Sequence, residues 1–181
     1  MQALFKLFFD VALLRKGPQD VPYSLFLLIF LFVFEFILDI AINFIPNYEG
    51  KTLDFWTNSR FYVVANVVIV AFIYFLFKFY AKTDRFVQSL TAITGAGLVL
   101  IFIQLPTKFL VMNAAGSGPS TPVALAVLFS MLILVWNLAI YSQIFRLALA
   151  ISRINAAMLS IVILILSLFM RSLLVPVPVA A

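Results

Sequence analysis

Apolar residues fill most of this chain in long blocks, and short polar or proline-containing stretches separate them. Five blocks have the roughly 20-residue length that a bilayer crossing needs. They cover residues 23–45, 61–80, 86–105, 122–147 and 155–175. The third block ends near QLPTK and can run on through FLVM. Arg146 and Arg153 break the last 60 residues into two spans by placing a turn between them. The connections are short except 47–60 and 112–122, and the latter (MNAAGSGPSTP) is rich in Gly, Ser and Pro. No internal repeat is visible.

Ahead of the first block, residues 2–16 (QALFKLFFDVALLRK) are too short to span. Leu4, Phe5, Phe8, Phe9, Ala12 and Leu13 recur near helical spacing, while Lys6, Asp10 and Lys16 fall mostly elsewhere. This predicts an amphipathic helix lying in the membrane interface. The alternative is a helix docked on the bundle. Lys6 and Asp10 interrupt the apolar run and no small-residue cleavage site follows, so a signal peptide is not expected. GPQDVP (17–22) ends the helix with two prolines. The expected layout is therefore an N-terminal helix and linker over 1–22, a five-helix transmembrane domain over 23–175 and a short tail over 176–181. The fold class is all-α, a polytopic membrane helix bundle.

Composition strengthens that reading. The chain has 181 residues, of which 65% are hydrophobic and 10% charged. Soluble domains are about half apolar and about a quarter charged. Cys and His are absent. That removes Cys/His zinc sites, thiol nucleophiles and imidazole bases, and no cofactor is expected. The formal charge of +5 comes from residues scattered near the ends of apolar runs, which suits membrane topology better than nucleic-acid binding. With the N-terminus inside, Lys6, Arg15, Lys16, Lys78, Lys82, Arg85, Arg146 and Arg153 face the cytoplasm, against Lys51, Arg60, Lys108 and Arg171 outside. The bias predicts a cytoplasmic N-terminus and an external C-terminus in a bacterial inner membrane, which needs an odd number of spans.

The first span carries an anomaly. Glu35 and Asp39 interrupt LFVFEFILDIAINF, and Asn43 continues their stripe. Four residues apart, the two acids share a helical face. Counted from Tyr23, Glu35 is ~18 Å and Asp39 ~24 Å deep, inside a core about 30 Å thick. An acid there costs several kcal/mol and should face the bundle or a wet cavity. Candidate partners lie on the other spans: Asn66, Gln104, Asn137 with Ser130 and Tyr141, and Arg171 with Ser160 and Ser167. Arg171, ~24 Å along the last span, matches the depth of Asp39, so this pair is the preferred one. Together these groups would make a polar seam toward the outer leaflet. It either conducts protons or cations, receives a lipid headgroup or partner helix, or serves only as packing glue.

TGAG (94–97) offers a small-residue face for close helix contact. It lacks the context of a phosphate loop. GSGPS (116–120) lacks the histidine of a serine-nucleophile site. Both intramembrane acids are on one span, which does not suit an aspartyl intramembrane protease.

The Pro-containing stretch LRKGPQDVPYS (14–24), the N-terminal cytoplasmic segment and five closely spaced spans resemble the Yip1 family of small polytopic membrane proteins, in its short bacterial form. The eukaryotic members' Asp-Leu-Tyr-Gly-Pro signature is missing, and KGPQD keeps only Gly17 and Pro18 of it. The resemblance implies a non-enzymatic protein acting through partners. The first expectation is therefore a non-catalytic scaffold or accessory subunit that binds membrane lipids, other membrane proteins or itself. The second is a small proton or cation transporter or channel using Glu35 and Asp39. An enzyme comes third.

Overall fold

The computed structural model describes residues 2–43, 55–113 and 121–174. Among them the chain forms α1 (Gln2–Ala12), α2 (Leu25–Asn43), α3 (Phe55–Phe79), α4 (Phe86–Asn113), α5 (Thr121–Leu149) and α6 (Arg153–Leu174), with no strand. The helices α2 to α6 are each long and apolar enough to cross a membrane. The protein is a multi-pass, all-α membrane protein.

Local chemistry sets the helix ends. Ala81 follows α3 with φ 54°. The Ala81 amide donates to the Lys78 carbonyl at 3.1 Å, and the Lys82 amide to the Phe77 carbonyl at 2.8 Å. This is the paired closure of a Schellman motif, with alanine where glycine is usual. The turn expected between Arg146 and Arg153 is present. Ala150 takes φ 55° there, and the Ser152 hydroxyl accepts the Asn155 amide at 3.2 Å as the N-cap of α6. Helix α3 begins at Phe55, ahead of the expected block start at 61. The third span takes the longer of its two expected forms, running past Leu105 to Asn113 with Pro106 inside the helix. Proline removes one amide donor from the ladder, a loss that neighbouring groups make up in membrane helices.

Helix α4 is the centre of the bundle. Two-thirds (67%) of its span is buried, against 11–17% for the other four. Its inner half supplies the reason: Ser89, Thr91, Ala92, Thr94, Gly95 and Ala96 are small and all buried. Lipid tails are as apolar as leucine, so helix association depends on close packing, and small residues allow it. Helices α1, α2 and α5 pack on α4, while α6 packs on α3 and α5.

The N-terminal helix is amphipathic and docks on this core. It buries Leu7, Phe8, Val11 and Ala12 and leaves Phe5 and Phe9 exposed. The Phe8 ring covers Gly95, ~14 Å along α4 from Phe86. The Trp136 indole N–H of α5 donates to the Ala12 carbonyl at 2.8 Å. The helix is thus docked on the flank of the bundle, the alternative reading of the sequence, with part of its apolar surface exposed. The proline-containing linker is held too. Gly17, Pro18 and Val21 are buried, and the Gln88 side-chain amide donates to the Val21 carbonyl at 3.0 Å. At the same end the Arg85 guanidinium reaches the Leu147 and Ala148 carbonyls at 3.3 and 3.4 Å.

Candidate functional site

Four polar residues from four helices meet inside the bundle. Glu35 of α2, Asn66 of α3, Gln104 of α4 and Asn137 of α5 line one cavity of about 150 Å³, together with Tyr141 and Thr94. Its remaining wall is largely aliphatic, including Ile73, Leu90 and Ile93. The volume is enough for several water molecules. Glu35 is half-buried, ~15 Å along α2 from Leu25, which is mid-span. Opposite it Gly97 clears the space: a Cβ there would stand 3.6 Å from Glu35 Oε1. Among the described residues no group hydrogen-bonds the Glu35 carboxylate. A carboxylate in low dielectric without protein donors is costly.

The neighbours are held by backbone carbonyls of α2 and α3. The Asn66 amide nitrogen donates to the Tyr62 carbonyl at 2.9 Å. The Tyr62 hydroxyl donates to the Phe32 carbonyl at 3.3 Å, and its ring packs on Phe36 with centroids 5.0 Å apart. These contacts tie α3 to α2 on either side of Glu35.

Gln104 and Asn137 also line a second, larger cavity of about 520 Å³ between α4 and α5. The inner chamber therefore adjoins a crevice whose other lining residues include Thr107, Lys108 and Ser130. The two amides stand at the boundary between them.

The remaining residues of the expected seam lie elsewhere. Asp39, one turn beyond Glu35, is half-buried and does not line the chamber. Arg171, in the last turn of α6, is exposed and is also outside it. Both lie close enough to Lys108 of α4 to act on its charge. Asn43 closes α2, and its side chain lies outside the described residues. Ser160 is buried and returns its hydroxyl to the Ala157 carbonyl at 2.8 Å, a packing role.

Sequence reasoning missed Lys108, Thr94 and Gly97. Lys108 reads only as one of the outer charges, although the longer form of the third span already contains it. Gly97 was legible only as a small residue, because its neighbour depends on which helices adjoin. Comparison with protein-family models, with curated proteins and with solved structures finds no match for this chain.

Proposed function

We propose that this protein is a small membrane transporter or channel for protons or cations, with Glu35 as the exchanging group. The observation that carries the reading is the convergence of Glu35, Asn66, Gln104, Asn137 and Tyr141 on one mid-span cavity. A carboxylate can take up and release a proton or attract a cation. Amides and a phenol can hand on hydrogen bonds as donors and acceptors. Gln104 and Asn137 line both this chamber and the α4–α5 crevice. The charge bias sets the orientation in this proposal: the Arg85 and Arg146 end faces the cytoplasm and the Lys108 end the outside of a bacterial inner membrane.

The scaffold reading has its own support. A second groove, of about 540 Å³ and almost wholly apolar, runs between α1, α2 and α4, where it is lined by Phe5, Phe30, Leu31 and Phe102. A partner helix suits such a surface. The two readings separate in liposomes containing purified protein. Conduction predicts proton or cation flux that is lost in the Glu35→Gln/Asp39→Asn double variant while helicity is retained. Equal flux in the two proteins, or none above empty liposomes, would favour the scaffold.

A further inference from the structure

The crevice between α4 and α5 has a chemistry of its own. We propose that it is a binding site for an anionic phospholipid, with the phosphate on Lys108 and an acyl chain along Val127 and Met131.

Depth is the first argument. Lys108 lies ~33 Å along α4 from Phe86, and the hydrocarbon core is about 30 Å thick. Its ammonium therefore stands at headgroup level on that side of the bundle. The side chain is exposed and lines the crevice. An ammonium at this level attracts a phosphate oxygen through a charge-assisted hydrogen bond.

Shape and polarity are the second. On α5 the crevice follows residues 126 to 137, a distance of ~17 Å, running from the headgroup level toward the bundle interior. Its volume of about 520 Å³ lies in the range of ligand-binding cavities. Val127 and Met131 line it and are exposed, so the groove opens sideways onto the acyl region rather than into water. A free phosphate would find one cation and an apolar wall. A phospholipid matches both parts.

Charge is the third. Arg171 also acts on Lys108 and adds to the attraction for an anion, while Asp39 opposes it. Thr107 is buried and already gives its hydroxyl hydrogen to the Gln104 carbonyl at 2.7 Å. It lines the wall without competing for the phosphate. A zwitterionic headgroup would bring its own cation to this cluster and bind more weakly. The site does not depend on the conduction reading.

The test is native mass spectrometry of the full-length protein in detergent, titrated with dioleoyl phosphatidylglycerol. Parallel titrations use dioleoyl phosphatidylcholine and inorganic phosphate. The variants are Lys108→Gln, Lys108→Arg and, to fill the groove, Met131→Trp. The expected result is one tightly bound phosphatidylglycerol, weakened about tenfold in Lys108→Gln, weakened in Met131→Trp and retained in Lys108→Arg. Phosphatidylcholine should bind more weakly than phosphatidylglycerol, and phosphate should not displace the lipid. Equal affinity for the two lipids, unchanged binding in both Lys108→Gln and Met131→Trp, or displacement by phosphate would each overturn the proposal. Should Lys108→Gln fail to fold, Met131→Trp decides alone.

Discussion

Gly97 of α4 faces Glu35 of α2 so closely that one added methyl group would sit 3.6 Å from the Glu35 Oε1 atom. That distance is ordinary van der Waals contact, so alanine fits. Alanine is also the better helix former, by about 1 kcal/mol in a helix interior. Gly97→Ala should therefore leave stability unchanged or raise it by up to about 1 kcal/mol, read as the thermal midpoint in detergent. It should slow proton or cation flux, because the methyl group takes space from the chamber beside the carboxylate. A stabilised variant with wild-type flux would mean the space beside Glu35 is not used.

Gly95, two residues earlier, predicts the opposite outcome. An added Cβ there would collide with the Phe8 ring, and Phe8 is buried against α4. Overpacking of this kind costs about 1–3 kcal/mol. Gly95→Ala should loosen α1 and expose its N-terminal segment to protease. Adding Phe8→Leu should restore part of the loss, so the two changes are non-additive. Additive effects would show that α1 does not rest on Gly95.

These two glycines mark the limit of what was legible in the sequence. The five spans follow from block length, and the polar residues on four of them follow from depth counting. Which helix faces which does not. TGAG signals close contact, but only the fold assigns Gly95 to α1 and Gly97 to α2. The face of α1 was only partly legible, for a related reason. Phe5 and Phe9 belong to the apolar set by spacing, yet they are exposed while Leu7 and Val11 are buried. Next to a bilayer, an apolar residue can face lipid or protein at similar cost, so periodicity alone does not choose. Lys108 was legible as an outer charge at the end of the third span, but not its place in the crevice, which depends on how α4 meets α5.

The turn after α3 carries a strain that can be relieved. Ala81 sits at φ 54°, a left-handed conformation that costs an L-residue roughly 1–2 kcal/mol. Its two closing hydrogen bonds use backbone only. Ala81→Gly should keep both and stabilise the protein by about 1 kcal/mol, measured as a raised thermal midpoint with unchanged flux. A lowered midpoint would contradict the assigned turn.

The central claim is that Glu35, rather than the neighbouring Asp39, is the exchanging carboxylate, because Glu35 lines the chamber and Asp39 does not. The most direct measurement is flux in liposomes for Glu35→Gln and Asp39→Asn as separate single variants, each checked for wild-type helicity. The account predicts that Glu35→Gln abolishes flux and that Asp39→Asn retains a measurable part of it. Full flux in a folded Glu35→Gln variant, or loss confined to Asp39→Asn, would contradict it.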